Sequence, residues 1–579
     1  MASDGPIGAA NDVEQRLRET LRQTFRHDDF RTGQREAILE ALAGRDVLVV
    51  MPTGSGKSLC YQLPAVMLPG TALVISPLIA LMKDQVEALA ALGVPATFIN
   101  SSVPASELNR RLVGLAAGKY KLVYAAPERF RSEVFVETLR KAAVSLLVVD
   151  EAHCISQWGH DFRPDYLALR HVAAMFPHAR IMAVTATATP DVRRDIVAQL
   201  GLGEAPRKPP ATHVHGFARP NLNISVVRCR THLEKAREVV DCIRDLGRGI
   251  VYCATTRQAE RTFSMLAEQY ASPLVLADRG GGGLAITVGD RRCELILYHG
   301  KLPDSARAEA HARFMEAENP VVVATVAFGM GIDRPDLRFV VHWDMPGSIE
   351  AYYQEIGRAG RDGKPSRCRL LFNYADVHTQ EFLLGNASDN ADQPSEDAAE
   401  FLATKRRKLD EMLAFVDTRK CRHRFILDYF GEDTSGMPCP GCDNCGGAAG
   451  AARPLTEPQW TILQKVLSCV ARMKGRFGPR RIAQVLTGDD DPVLEEKGLT
   501  ALSTYGILQG FPIPTIYRLL DALAAAGCIE VSDDAYHLMS ITPKGVSVAR
   551  RQLRDFAIPW PASDRRPPSG RRRKKWYNG

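Results

Sequence analysis

No apolar run in this 579-residue chain approaches the roughly 18 residues that a membrane span requires. Its start, Met1–Asn11, lacks a basic stretch followed by an apolar one, so a secretory signal is not expected. No internal repeat with a period of roughly 20–50 residues is evident, which argues against a solenoid or propeller. Hydrophobic residues make up 45% and charged residues 24%, which excludes a mostly disordered, collagenous or disulfide-scaffold protein. A large charge imbalance is also missing. The net charge is +7, and the stretch Ser563–Gly579 alone accounts for +6, through Arg565, Arg566, Arg571, Arg572, Arg573, Lys574 and Lys575 against Asp564. Bulk charge therefore does not point to nucleic acid, and only the basic tail does.

What is present is length and pattern. At about 150 residues per domain the chain holds about four domains. Of 13 cysteines, nine are scattered, several of them inside apolar runs as buried thiols are. Four cluster at Cys421, Cys439, Cys442 and Cys445. An odd total without a secretory signal points to a reducing compartment.

Nearly continuous apolar runs at Val47–Met51, Ala72–Ser76, Leu122–Ala125, Ser145–Asp150 and Ile181–Thr185 read as strands buried on both faces. Amphipathic stretches such as Leu78–Leu92 and Asp191–Leu200 lie between them, the rhythm of a parallel sheet covered by helices. After a Pro/Gly-rich break at Gly203–Pro210 the rhythm restarts with Ile250–Cys253, Glu294–His299, Val321–Thr325, Phe339–Trp343 and Arg369–Asn373, a second parallel sheet. Asp278–Asp290, with four consecutive glycines, reads as a surface loop or hairpin. Asn386–Glu400 reads as a polar linker and Phe401–Val416 as an amphipathic helix. Pro458–Phe556 is helix-rich and ends in two β-like segments around Asp533-Asp534, the pattern of a winged helix.

Strand Val47–Met51 runs into Pro52-Thr53-Gly54-Ser55-Gly56-Lys57-Ser58. A strand, a glycine turn and a helix N-terminus cradle phosphates with backbone N–H groups. Lys57 would reach the β/γ-phosphates of ATP and Ser58 would ligate Mg²⁺. The strict pattern has Gly where Met51 stands, so the match is partial. About 90 residues on, strand Leu146–Val149 ends in Asp150-Glu151-Ala152-His153. A carboxylate at the tip of a buried strand is where such an enzyme holds Mg²⁺. Asp150 is assigned that role and Glu151 the polarisation of the attacking water.

Asp150-Glu151-Ala152-His153 and the following Cys154-Ile155-Ser156-Gln157-Trp158-Gly159-His160-Asp161-Phe162-Arg163-Pro164 resemble the RecQ family of superfamily-two DNA helicases. The resemblance runs from about Phe25 to about Phe556. It implies an α/β chain of two tandem RecA-like parallel-sheet domains, a helical zinc-binding subdomain and a winged-helix domain, with ATP-driven 3′→5′ unwinding of duplex DNA. Phe30-Arg31-Thr32-Gly33-Gln34 looks like the family's adenine-reading motif. Gln34 offers a donor and an acceptor to the base edge, and His27 stands where the family commonly has a stacking Tyr. Trp158, His160, Phe162 and Arg163 match a loop that, in the family, couples DNA binding to hydrolysis. Interleaved aromatic and cationic side chains suit single-strand binding. Thr185-Ala186-Thr187-Ala188 resembles the motif linking ATP state to domain movement. Ala324–Asp333 and Gln354–Arg361 match motifs of the second domain, which adds Asp333 to the nucleotide-site candidates. Arg361 is the first choice for an arginine finger and Arg358 its companion. Tyr298-His299-Gly300-Lys301-Leu302 departs from the family's Tyr-His-Ala-Gly-Leu.

The cysteine cluster spells C-x₁₇-C-x₂-C-x₂-C. Four thiolates suit tetrahedral, structural Zn²⁺, and the family has the same four ligands. His423 is expected on a helix face rather than on the metal. Arg472, Lys474, Arg476, Arg480 and Arg481 are candidate phosphate contacts. Asp533-Asp534, beside Tyr536 and His537, is the candidate tip of a strand-splitting hairpin.

The expected layout is a disordered start at 1–13, an ATP-binding domain at 14–218 and a second helicase domain at 219–385. A linker at 386–400, a zinc subdomain at 401–447, a winged helix at 455–556 and a basic tail at 557–579 follow. The expected cofactors are ATP, Mg²⁺ and Zn²⁺. The expected partners are single-stranded and duplex DNA and a single-strand-binding protein, with no membrane and a monomeric state. The compartment follows as the bacterial cytoplasm with its nucleoid, or the nucleus in a eukaryote. Two rivals are a translocase or annealing scaffold that does not separate strands, and an RNA helicase.

Overall fold

The computed structural model describes residues 7–77, 79–156, 158–159, 161–205, 207–270, 283–329, 334–389, 396–445, 453–511, 513–532, 538–553, 555–558 and 560. His160, Asp333, Asp533, Asp534, Tyr536, His537 and the basic tail lie outside this set. The chain divides into two compact units, Met1–Pro440 and Gly441–Gly579.

The first unit holds two sheets. Strands β1 (Val47–Val50), β2 (Thr71–Ile75), β3 (Ala96–Ile99), β4 (Leu122–Ala125), β5 (Val144–Asp150), β6 (Arg180–Thr185) and β7 (Ala211–Val214) form a parallel sheet in the order β3-β4-β2-β5-β6-β1-β7. β1, β2 and β4 are buried at every residue, which accounts for their unbroken apolar runs. Helix α1 (Gln34–Leu42), α2 (Lys57–Met67) and α3 (Pro190–Leu200) carry or flank the motifs. α3 starts on the Thr189 side chain, which accepts from Val192 N–H, and stops at Gly201 in the left-handed region (φ 64°). Both boundaries follow from a Thr-Pro start and a Gly stop.

The second sheet contains β8 (Leu222–Arg228), β9 (Gly249–Tyr252), β10 (Gly283–Val288), β11 (Arg291–Tyr298), β12 (Pro320–Ala324), β13 (Phe339–His342) and β14 (Ser366–Phe372) in the order β10-β11-β12-β9-β13-β14-β8. The five strands expected from sequence, β9, β11, β12, β13 and β14, are mutually parallel, and the hairpin reading of 278–290 agrees with the one antiparallel pair. β10 pairs antiparallel with β11, so the segment after the glycine run is one arm of a hairpin that adds an edge strand. Its first residues, 278–282, lie outside the described set. Helix α4 (Ile349–Ile356) is capped by Ser348 Oγ, which accepts from Ala351 N–H.

Helices reach into the expected linker at 386–400 from both sides, and residues 390–395 lie outside the described set. A helix over Ala375–Asp389 enters it, and α5 (Glu396–Asp417) starts inside it. α6 (Arg422–Tyr429) follows with Cys421 as its N-cap.

A buried ion cluster fixes the second sheet to its helices. Lys235, 3% exposed, donates from Nζ to Trp343 O at 2.5 Å and to Asp376 Oδ1 at 3.0 Å, with Asp344 Oδ1 3.7 Å away. Removing one partner of such a cluster leaves buried charge unpaired, at about 3–5 kcal/mol. Lys235→Met should therefore lower the urea midpoint of the first unit by that equivalent. An unchanged midpoint would mean that the carboxylates rehydrate freely.

The second unit contains helices Glu457–Arg472, Pro479–Thr487 and Ile513–Ala525 and an antiparallel pair, Ile529–Val531 with Met539–Ile541. Trp460, Leu463, Leu467, Ile482, Leu486, Ile516, Leu520 and Met539 are among its buried residues. The helices and hairpin match the winged-helix pattern. The two β-like segments expected around Asp533-Asp534 are these paired strands, and residues 533–537 between them lie outside the described set.

Candidate active site and nucleic-acid interface

The fully buried β1 delivers the loop that precedes α2, and two of its glycines, Gly54 (φ 80°) and Gly56 (φ 83°), are left-handed. An L side chain would be strained at both. A Cβ on Gly56 would also meet Gln34 Nε2 at 2.6 Å. Lys57 folds onto its own loop, donating to Met51 O at 3.2 Å and Pro52 O at 3.3 Å. Burial pushes its pKa down, and Glu151 and Asp150 oppose that shift while Arg361 adds to it. A partly buried ammonium held by loop carbonyls is poised to exchange them for phosphate oxygens.

The adenine-motif residues sit on this loop. Arg31 Nη1 donates to Gly54 O at 2.6 Å. Gln34 Nε2 donates to Ser55 O (3.1 Å) and Gly56 O (3.0 Å), while its Oε1 accepts from Arg31 N–H at 2.8 Å. Gln34 thus braces the phosphate loop with its amide N–H groups and its own turn with its amide oxygen. His27 is exposed.

β5 brings Asp150 to the sheet's C-terminal edge. Its Oδ1 accepts from Glu151 N–H at 3.0 Å. Burial, then the charge of Glu151, pushes the Asp150 pKa up, and Lys57 opposes them. Glu151 is left-handed at φ 48°, a strained conformation for a non-glycine residue of the kind that gathers at working sites. Its Oε2 lies 3.4 Å from His153 Nδ1. Ser58 is the second residue of α2.

β6 lies between β1 and β5, so Thr185 ends up beside both catalytic loops. A polar chain starts there. His153 Nδ1 meets Thr185 Oγ1 at 2.9 Å, Thr187 N–H donates to Thr185 Oγ1 at 3.3 Å, and Gln354 Nε2 donates to Thr187 Oγ1 at 2.8 Å. Thr185 and Thr187 are buried. Gln354 belongs to α4, so the chain crosses from the first sheet's domain to the second's.

The second domain's arginines face the phosphate loop. A Cβ on Gly54 would lie 3.1 Å from Arg361 Cγ, and Thr53 Oγ1 donates to Gly357 O at 3.3 Å. Arg358 is 9% exposed, and its Nε has no hydrogen-bond partner among the described residues. Arg219 was not singled out from sequence, yet its guanidinium donates to Gly357 O (3.1 Å), Ala359 O (2.8 Å) and Gly360 O (3.2 Å). It thereby fixes the turn that carries both arginines. Nothing in the sequence pairs a lone Arg219 with carbonyls some 140 residues on.

The aromatic loop leans on α5. Trp158 is 36% exposed, with the Arg407 guanidinium 5.2 Å from its ring centre. Phe162 lies 6.3 Å from Phe401 between ring centres. Arg163 bonds Asp161 Oδ2 (3.1 Å) and Pro77 O (3.3 Å). Tyr166, from the same run, is fully buried, and its hydroxyl donates to Asp150 O at 3.1 Å. This loop is therefore anchored on β5 while Trp158 stays accessible.

The sulfurs of Cys421, Cys439, Cys442 and Cys445 all lie within 4.8 Å of one another. Four converging sulfurs fit tetrahedral Zn²⁺. His423 is 6% exposed, a buried face residue of α6. In the second unit Arg481 bonds Asp491 Oδ2 (2.5 Å) and Gln484 Oε1 (2.8 Å). The side chain of Arg480 lies outside the described set.

Known proteins agree with this geometry. Residues 31–196 match the DEAD/DEAH box helicase model, 232–363 the helicase conserved C-terminal domain, 374–446 the RecQ zinc-binding model and 460–556 the RQC domain. The chain is 41% identical over 543 residues to the ATP-dependent DNA helicase RecQ of Bacillus subtilis (strain 168), covering 93% of this chain and 84% of that protein. This chain belongs to the RecQ family. A further RecQ, from Pasteurella multocida (strain Pm70), is 38% identical over 86% of this chain and 72% of its own length. The helicase SGS1 of Saccharomyces cerevisiae is 34% identical over 83% of this chain but 32% of its own length. Among solved structures, the DEAD-box helicase Mss116 bound to ssRNA and UDP-BeF has a TM-score of 0.50 at 16% identity, over 74% of this chain and 93% of that one. That likeness concerns the fold. The RecQ family assignment makes ATP, Mg²⁺ and Zn²⁺ the cofactors of the sites above. Among the described residues no helix is long and apolar enough to cross a membrane.

Proposed function

We propose that this chain is an ATP-dependent DNA helicase of genome maintenance that moves 3′→5′ along one strand of duplex DNA. The observation that carries the reading is the polar chain His153–Thr185–Thr187–Gln354, which joins the carboxylate-bearing segment to α4, the helix that leads into the arginine-bearing turn of the other domain. In this reading the phosphate-loop backbone and Lys57 bind the β/γ-phosphates. Mg²⁺, held by Ser58 and Asp150, would supply charge neutralisation on the phosphate oxygens. Glu151 orients the attacking water and takes its proton. Arg361 and Arg358 meet the charge that develops on the γ-phosphoryl oxygens. Gln34 releases the loop carbonyls to read the adenine edge. Asp333 adds a nucleotide contact from the second domain.

Trp158, His160, Phe162 and Arg163 contact single-stranded DNA. Since Tyr166 of the same loop holds Asp150 O, strand contact and catalysis share one rigid segment. The winged helix holds the duplex ahead and Zn²⁺ is structural. The protein works as a monomer alongside a single-strand-binding protein, in the nucleoid of a bacterial cytoplasm or in a nucleus.

ATP turnover should rise with single-stranded DNA more than with RNA of the same length. Lys57→Ala should lower the stimulated rate by about 100-fold or more. Equal stimulation by RNA would favour an RNA helicase. Unchanged turnover in Lys57→Ala would point to a scaffold.

A further inference from the structure

The segment joining the two sheets, between β7 and β8, is gripped from three sides at one residue. Phe217 is 1% exposed. Its ring stacks on Phe430 at 4.4 Å between centres and 8° between planes, and meets Tyr353 of α4 at 5.8 Å. Arg193 of α3 places its guanidinium 5.8 Å from the same ring. The backbone is held as well. Phe217 N–H donates to Glu432 Oε2 at 2.9 Å, and Phe217 O accepts from Tyr353 Oη at 2.9 Å.

Phe430 and Glu432 follow α6, the helix that Cys421 caps. Their short segment also grips the first domain. Arg193 Nη2 donates to Phe430 O at 2.5 Å, and Arg193 Nε donates to Ala188 O at 3.0 Å, in the loop that follows Thr185. The Glu432 carboxylate acts electrostatically on Arg193. Gly431 has φ 73°, and a Cβ there would come within 2.8 Å of Pro190 Cγ, so the contact with α3 admits no side chain. Two residues beyond Phe217, Arg219 holds the carbonyls around Arg358.

A continuous path therefore runs from Ala188 through Arg193, Phe430 and Phe217 to Arg219 and the arginine-bearing turn. Domains that close around a nucleotide rotate at a few residues that absorb the backbone change. Here both backbone groups of the central hinge residue are pinned, one by the zinc-binding module and one by α4. We propose that Phe430 and Glu432 form a hinge clasp, making Glu432 a positioning residue that sets the approach of Arg358 and Arg361 to the phosphate loop. This rests on reading those arginines as the groups that meet the γ-phosphoryl.

The test uses the full, zinc-loaded chain. Glu432→Ala should lower kcat of DNA-stimulated ATP hydrolysis by about 10-fold, with KM for ATP within about twofold and zinc content unchanged. Glu432→Gln keeps an oxygen to accept the Phe217 N–H and should recover most of the rate. Phe430→Leu, which removes the stacked ring, should act like Glu432→Ala. Unchanged kcat in both Glu432→Ala and Phe430→Leu would overturn the clasp. So would a loss that follows lost zinc or a lowered melting temperature, because that pattern describes a purely structural role. Arg361→Ala, measured in parallel, separates the two readings. A large loss there with none in Glu432→Ala overturns the clasp alone. No loss in Arg361→Ala overturns the arginine assignment itself, and the clasp with it.

Discussion

Arg361→Ala is expected to lower DNA-stimulated ATP turnover by about 10³–10⁵-fold while nucleotide affinity changes little. Its side chain comes from the second domain yet packs against Gly54 of the phosphate loop, and its charge acts on the partly buried Lys57 ammonium. Two cations held near each other in a buried site repel until an anion joins them. A triphosphate satisfies both, and the charge on its γ-oxygens grows as the bond to the leaving group breaks. A guanidinium that gains most at that moment raises kcat rather than affinity. Arg358→Ala should have a smaller effect of the same kind. The measurement is single-turnover hydrolysis under saturating ATP and DNA, with nucleotide binding determined separately. A loss confined to affinity would make Arg361 a ground-state binding group.

Loss of zinc is the second large effect. Structural Zn²⁺ sites contribute on the order of 10 kcal/mol to folding at neutral pH. Cys442→Ser should therefore abolish stoichiometric zinc and unfold the local segment, visible as new protease cleavage within 396–445. The consequence reaches further than the metal. Cys421 caps α6, and the far end of α6 leads into Phe430 and Glu432 at the hinge. Metal content by atomic spectroscopy and limited proteolysis together decide the matter. A variant that keeps its zinc, or loses it without added cleavage, would contradict a structural role for the four thiolates.

What could be read from sequence was local or strongly patterned. β1, β2, β4, β5 and β6 were legible because strands buried on both faces are continuously apolar, and the phosphate loop and Asp150-Glu151 sit at their ends. The four cysteines were legible from spacing alone. β7 was missed because its four residues, Ala211–Val214, alternate with exposed and partly exposed positions and include His213. β3, Ala96–Ile99, is a short sheet-edge strand that is buried only at alternate residues. The helical parts of 386–400, which continue Ala375–Asp389 and open α5, were not read from its polar composition.

The arginines were legible by resemblance, but what positions them was not. Arg219 acts on carbonyls around Gly357, and Phe217 meets Phe430. Pairings across such sequence separations leave no periodic signal. The same holds for Gln34, whose donor and acceptor were read correctly as a pair, but which the fold commits to Ser55, Gly56 and Arg31.

The central claim is directional strand separation driven by ATP. The decisive measurement is unwinding of a labelled duplex that carries either a 3′ or a 5′ single-stranded tail, with ATP and Mg²⁺ and with Lys57→Ala alongside. The account predicts separation from the 3′ tail, none from the 5′ tail, and none with the variant. ATP turnover on DNA without separation from either tail would contradict it and leave a translocase.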